Sequence, residues 1–258
     1  MYKNQDRMQS LRSLILRRAD LALTLLSCVL AGCATVPGRT THDDPWQGMN
    51  RGIYKFNDGL DRAVLKPTAQ GYKKVTPQWL RTGVGNVFSN LRYPVTIANQ
   101  LLQAKPKLFL QDTCRFVTNT VFGLVGIFDV ADKIGLREHD EDFGQTFARW
   151  GMPSGPYLVL PFFGPSSVRD APGIVVGYFF NVLRNTNTPA GVEWGARGLE
   201  VIDKRASLLT TDATLDSAYD KYGVIRDAWV QRREYLIFDG NPPEEKIEEF
   251  IDDDTSKR

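Results

Sequence analysis

"PKLFLQDTCRFVTNTVFG", residues 106 to 123, is a stretch with two faces. Leu110, Cys114, Val117 and Val121 recur at helical spacing, while Gln111, Arg115, Thr118 and Asn119 lie off that stripe. The pattern predicts an amphipathic helix between Pro106 and Gly123. At 1.5 Å per residue it is about 25 Å long, short of a hydrocarbon core of ~30 Å and interrupted by polar residues. Such a helix can lie in a membrane but cannot cross one alone.

The same reading extends outward on both sides. Tyr54, Phe56, Leu60, Val64 and Leu65 predict a helix closed by Pro67 and Gly71, and further segments run from Pro77 to about Phe88 and from Pro94 to Leu102. Downstream, "GLVGIFDVADKIGL" (123–136) is apolar with interspersed glycines, and "REHDED" (137–142) reads as a charged, solvated loop. "GIVVGYFFNVL" (173–183) is again shorter than a span, and helices are expected near 192–209 and 224–238. These segments predict a mostly α fold in one domain, with no internal repeat. The exception is "GPYLVLPFFGP" (155–165), a greasy run whose Pro156, Pro161 and Pro165 forbid a helix.

The first 33 residues indicate the compartment. Arg12, Arg17 and Arg18 precede the apolar run "LALTLLSCVLAG" (21–32), which has the length of a signal-peptide core. It ends in Leu30-Ala31-Gly32-Cys33, a match to the lipobox of bacterial lipoproteins. Residues 1–32 are therefore expected to be a signal peptide and Cys33 the site of lipidation, with Ala34 rather than Asp pointing to the outer membrane. Residues 33–43 read as a lipidated tether, 44–238 as the folded domain and 239–258 as an acidic, disordered tail.

Charge and cysteine use agree with that division. The chain holds 32 basic and 30 acidic residues. Residues 1–32 contain five basic and two acidic ones, which leaves 27 against 28, a net charge of −1 for the mature chain. The apparent basicity belongs to the signal, so a nucleic-acid partner is not supported. Cys28 leaves with the signal and Cys33 is modified, so Cys114 has no partner for an intramolecular disulfide.

Little in the sequence suggests catalysis. The two histidines are His42 in the tether and His139 in the charged loop, and "GMPSG" (151–155) is no nucleophile elbow because its serine comes one place late. His139-Asp140-Glu141-Asp142 offers cation ligands, against the commoner role of such a run as a loop or helix cap. No phosphate-binding loop, dinucleotide fingerprint or paired-cysteine zinc site is present. The expectation is a protein that is not an enzyme and needs no metal or cofactor. Two readings stay open on composition: a periplasmic scaffold whose greasy segments form its core, or a protein that handles lipid.

The order of motifs adds a resemblance. "DPWQGMNRGIYKFNDGLD" (44–61) resembles the opening D-P-x-x-x-x-N-R-x-x-[YF]-x-F-N-x-x-x-D of the MlaA/VacJ family of outer-membrane lipoproteins. "KPTAQGY" (66–72), "NVFSNLRYPVTIANQLLQ" (86–103), "RFVTNTVFGLVGIFDVA" (115–131), "DFGQTFARWGMPSGPYLVLPFFGPSSVRD" (142–170) and "RDAWVQRREYLI" (226–237) follow in family order. Departures are Ala104 where glycine is common, Phe147 for a usual leucine, and Lys221 where proline is frequent.

The resemblance implies a ring-shaped helical domain embedded in the membrane interface, enclosing an amphipathic channel, with an apolar Pro/Gly-rich hairpin at its mouth. It implies phospholipid as cargo, a trimeric porin and the soluble periplasmic carrier MlaC as partners, and retrograde transport that removes misplaced phospholipid from the outer leaflet. On that reading Tyr157, Leu158, Leu160, Phe162 and Phe163 are the candidate contacts for acyl chains. Trp46, Trp79 and Trp150 are candidate anchors to the porin or the membrane interface.

Overall fold

The computed structural model describes residues 44–186 and 188–243; the expected signal peptide, Cys33, the expected tether and the expected tail beyond Pro243 lie outside them. The predicted first helix does not close at Pro67. Helix α1 (Gln47–Leu60) runs through a π turn (Asp61–Leu65) into α2 (Lys66–Val75). In the π turn the Lys66 N–H reaches back to the Asp61 carbonyl, so the ladder is already widened where Pro67 brings its ring and lacks its own donor. Proline then sits in the first turn of α2, directly after this widened turn.

The two segments expected around Pro94 are one helix, α3 (Gln78–Leu102), with Pro94 inside it. Tertiary contact overrides the local break. One side of α3 buries Phe88, Asn90, Tyr93, Thr96, Asn99 and Gln100, and it packs along α4 (Pro106–Val121). A four-residue helix, α5 (Val130–Lys133), starts at Asp129, whose carboxylate accepts from the Asp132 N–H. Helix α6 (Phe143–Arg149) is capped in the same way by Asp142.

The greasy run forms a hairpin, with β1 (Tyr157–Leu160) antiparallel to β2 (Gly164–Ser167). The apolar segment 173–183 is divided between α7 (Asp170–Phe179) and the short α8 (Val182–Asn185), because Asn181 accepts from the Leu183 N–H and opens a new turn. Next come α9 (Ala190–Ser207), a 3₁₀ turn (Leu208–Thr210), α10 (Asp212–Asp216) and α11 (Lys221–Ile237). Lys221 is the first residue of α11, which explains why proline suits that position in relatives of similar pattern.

Packing is close where α6 meets α7. A Cβ on Gly173 would lie 2.7 Å from the Gly144 nitrogen, and one on Gly144 would lie 2.4 Å from both Arg233 and Asp170. That approach brings Arg233 of α11 onto Asp142 at 2.6 and 2.8 Å and onto Asp170 at 2.9 Å, while Arg169 holds Asp170 at 2.8 Å. The two guanidiniums hold the Asp170 carboxyl below its ordinary range against the opposing effect of burial.

The interior is polar and the exterior greasy. The largest fully buried side chains are those of Gln100, Gln145, Asn50, Asn99 and Thr146, while Trp79, Phe122, Ile134, Phe162 and Phe163 lie exposed. Helix α4 shows the inversion most directly. Its Asp112, Arg115 and Asn119 are buried, whereas Leu110, Val117 and Val121 are 60, 49 and 61 % exposed. The stripe expected from the sequence exists but faces outward. Among the described residues no helix is long and apolar enough to cross a membrane.

Helix α3 ends in a Schellman cap. The Lys105 N–H bonds the Gln100 carbonyl at 3.0 Å, the Ala104 N–H bonds that of Leu101 at 3.0 Å, and Ala104 carries the left-handed residue at φ 55°. This explains the glycine common at position 104, since an alanine Cβ is disfavoured there by roughly 1–2 kcal/mol. Ala104→Gly is expected to stabilise the domain by about 1 kcal/mol, raising Tm by roughly 2–4 °C in a thermal melt. An unchanged or lowered Tm would contradict the cap assignment.

Candidate functional site

Strand β1 would be an open sheet edge, with N–H and C=O groups unpaired, but for two asparagines on α1. Asn50 donates from Nδ2 to the Tyr157 carbonyl at 2.9 Å and accepts on Oδ1 from the Val159 N–H at 2.9 Å. Asn57 repeats the pattern on the Leu160 carbonyl and the Phe162 N–H, both at 2.9 Å. Each side-chain amide thus stands in for a peptide of a third strand. The register works because seven residues of helix rise about 10.5 Å and three residues of strand about 10 Å.

Below this clamp lies the small apolar core of Tyr157, Val159 and Tyr222, with Ile53, Tyr54, Trp229 and Val230 packed against it. Tyr157 meets Trp229 at 5.6 Å and Tyr222 at 6.3 Å between ring centroids, both edge-on. The Tyr222 hydroxyl donates to buried Asp44, whose other oxygen accepts from Asn50 at 2.8 Å. Burial first, then the bond to Asp44, pushes the Tyr222 phenol far above its ordinary value, so it remains a donor.

The five hairpin candidates separate by face. Tyr157 is 4 % exposed and belongs to the core, so it has no surface to offer an acyl chain. Its place on the inner face follows from the two-residue period that also buries Val159. Leu158 and Leu160 lie on the other face, half-buried. Phe162 and Phe163 form the tip at 72 and 70 % exposure. Phe162 holds a left-handed φ of 68°, its ring edge-on to Phe56 at 5.4 Å. The cost of that backbone, roughly 1–2 kcal/mol, is offset by the bond from its N–H to Asn57.

A second strained display lies after α4. Leu124, Val125 and Gly126 are left-handed in succession at φ 51°, 60° and 94°, with Phe122, Leu124, Val125, Ile127 and Phe128 exposed around them. The turn closes through Val125 N–H to Thr120 at 3.0 Å and Gly126 N–H to Asn119 at 2.9 Å. Only glycine fits at 126, where a Cβ would sit 2.5 Å from Asn90. The sequence shows this stretch as apolar with glycines, but not its left-handed path.

The charged loop 137–142 is not solvated throughout. His139 bonds buried Asp112 at 2.8 Å, Glu141 accepts from Gln103 at 2.6 Å and Lys105 at 2.9 Å, and Asp142 caps α6. The polar faces of α3, α4 and α6 require partners, and this loop supplies them. The bond to Asp112 raises the His139 pKa, favouring the imidazolium. Among the described residues no group of three or more His, Cys, Asp or Glu is placed to hold a metal ion. Trp46, Trp79 and Trp150 are all exposed, Trp150 donating to the Leu102 carbonyl at 3.1 Å.

Asn50 and Asn57 are the residues that sequence reasoning missed. Asparagine is a poor helix-interior residue, and two of them seven apart on one face of an amphipathic helix signal a partner outside that helix.

A mostly helical domain with polar side chains inside, apolar ones outside and, among the described residues, no helix long and apolar enough to cross a membrane defines a class of membrane-interface protein. The family model for MlaA lipoproteins matches residues 42–236, and the chain belongs to that family. It is 34 % identical over 240 residues to the intermembrane phospholipid transport system lipoprotein MlaA of Escherichia coli K12, covering 90 % of this chain and 95 % of that protein. The protein of the same name from Haemophilus influenzae is 32 % identical over 252 residues, covering 94 % and 99 %. A solved structure described as the structural basis for maintenance of bacterial outer membrane lipid asymmetry superposes with a TM-score of 0.67 at 30 % identity, covering 77 % of this chain and 100 % of that one.

The clamp yields a direct test. Asn57→Leu removes both bonds at the tip, and hydrogen exchange at the Phe162 amide is expected to accelerate about tenfold or more, with α1 unchanged. Unaltered protection at Phe162 would show that the tip is held by something else.

Proposed function

We propose that this chain is an outer-membrane lipoprotein that removes misplaced phospholipid from the outer leaflet and passes it toward the periplasm, maintaining lipid asymmetry. The observation that carries the reading is the inversion of α4, with Asp112, Arg115 and Asn119 inward and Leu110, Val117 and Val121 outward. Such a surface is stable against hydrocarbon and unstable in water. The names borne by its relatives in E. coli and H. influenzae support the same task.

In this account residues 1–32 are the signal peptide, and lipid on Cys33 anchors the domain at the periplasmic leaflet, each buried CH₂ contributing about 0.8 kcal/mol. Residues 33–43 are the tether, 44–238 the transport domain and 239–258 an acidic tail. A headgroup is costly to draw through hydrocarbon, so a path with polar walls lowers the barrier while acyl chains stay against apolar side chains. Leu158, Leu160, Phe162 and Phe163 are the proposed acyl contacts at the mouth of that path. A trimeric porin holds the domain in place and the periplasmic carrier MlaC receives the lipid. Direction comes from steps downstream, and the chain itself does no catalysis.

The test is outer-leaflet phospholipid in a deletion strain complemented by wild type, Cys33→Ala and Leu158→Asp. Phospholipid is expected to accumulate in the deletion strain, to be cleared fully by wild type, and to remain elevated with either variant although Leu158→Asp still reaches the membrane. An unchanged outer leaflet in the deletion strain would contradict the reading.

A further inference from the structure

Residues 171–192 carry a single charge, Arg184, between Asp170 and Glu193. They include most of the apolar helix α7 and the short α8, with Val175, Phe179 and Phe180 at 57, 55 and 56 % exposure. A lone arginine at the end of an apolar surface reaches either a carboxylate of its own chain or a polar layer outside it.

Arg184 has no carboxylate partner among the described residues, and aromatic rings fix its position instead. Its guanidinium lies 4.6 Å from the Tyr178 ring centroid and 5.3 Å from that of Phe179, and Nη1 donates to the Tyr178 hydroxyl at 2.7 Å. That bond uses one N–H and leaves the rest of the fork open on an exposed side chain. A second guanidinium, that of Arg197 on α9, lies 4.8 Å from the same Tyr178 centroid, but Glu193 holds it at 3.0 Å. The corner thus gathers two cations on one ring, with one carboxylate that is already engaged. Its backbone is closed from within, because Asn185 Nδ2 donates to the Phe179 and Asn181 carbonyls at 2.6 and 2.9 Å.

The surplus charge is positive and borders exposed phenylalanines, so a phosphate fits the one and an acyl chain the other. An ethanolamine ammonium would meet Arg184 with no free carboxylate to receive it. A headgroup of net negative charge therefore suits the corner better than a zwitterion.

We propose that the α7–α8 corner binds an anionic phospholipid of the surrounding leaflet, its phosphate on Arg184 and its acyl chains along Val175, Phe179 and Phe180. The inference rests on the reading of the exterior as a membrane-facing surface and is independent of any passage of lipid through the domain.

The test places a photoreactive benzophenone amino acid at Val175, or at Val121 on α4 as a control, since residues 117–125 carry no charge. The lipoprotein is reconstituted into vesicles of equal dioleoyl phosphatidylglycerol and dioleoyl phosphatidylethanolamine, and lipid adducts are counted by mass spectrometry. At Val175 the glycerol lipid is expected to be favoured about fivefold, the factor that one arginine contributes beside an anionic lipid surface. Arg184→Gln should bring that ratio to the value at Val121, and Arg184→Lys, which keeps the charge without the planar stack, should retain part of it. Equal adducts of the two lipids at Val175, a preference that survives Arg184→Gln, or a loss as complete with lysine as with glutamine would overturn the proposal. Erasure of the preference by millimolar inorganic phosphate would assign Arg184 to the free anion and overturn it as well. Adducts at Val121 but none at Val175 would overturn it while leaving the membrane-facing exterior standing, and adducts at neither position would remove that reading too.

Discussion

Burial of charged and amide side chains at the interface between α3, α4 and the loop 137–142 is the constraint on which the fold depends. Asp112 is held by Gln100 at 3.0 Å and His139 at 2.8 Å, Asn119 bonds Asp129 and the Ala131 N–H, and Arg115 pairs with Asp129. Each group left without a partner in such an interior costs roughly 1–3 kcal/mol, so most of the network is closed, with Gln100 Oε1, Arg115 Nε and the Tyr93 hydroxyl as buried exceptions. Helices that turn these faces inward can only turn their leucines, valines and phenylalanines outward. A domain built this way gains little from hydrophobic burial in water and much from contact with acyl chains.

The same logic explains the hairpin and the loop after α4. Both are short, strained segments that present phenylalanines and aliphatic side chains on the outside, and both are fixed from within by asparagine. Asn50 and Asn57 satisfy the edge of β1, while the Asn90 side chain donates to Thr120 and to the Val125 carbonyl at the left-handed turn 124–126. At membrane depth an irregular backbone is tolerable only if its polar groups face protein. Asparagine serves because its side chain carries the donor and acceptor of a peptide group and can pair with both edges of another.

Much of this was legible in the sequence. Amphipathic spacing gave α4 and the regions of α1 to α3, α9 and α11, but not the shorter α5 to α8 and α10; the prolines of 155–165 excluded a helix there, and the motif order indicated the family now matched over 42–236. Which face of α4 turns inward was not legible, because a 3.6-residue period marks two faces without saying which meets solvent. The breaks at Pro67 and Pro94 were misplaced because a π turn and the packing of α3 on α4 overrode a local preference. Tyr157 was grouped with its outward neighbours, although the alternation of a strand places it with Val159 in the core. The charged run 137–142 looked solvated because its partners are distant in sequence, Asp112 and Lys105 among them.

Cys114 offers the most direct test of the central claim, since it is a free, exposed thiol on the outward stripe of α4. A nitroxide attached there in the lipoprotein reconstituted into vesicles can be relaxed by oxygen, which partitions into lipid, or by a water-soluble nickel chelate. Strong relaxation by oxygen with little by the chelate is the predicted result. Ready access of the chelate would mean that the stripe faces water, and the inverted domain would not be a membrane-interface structure.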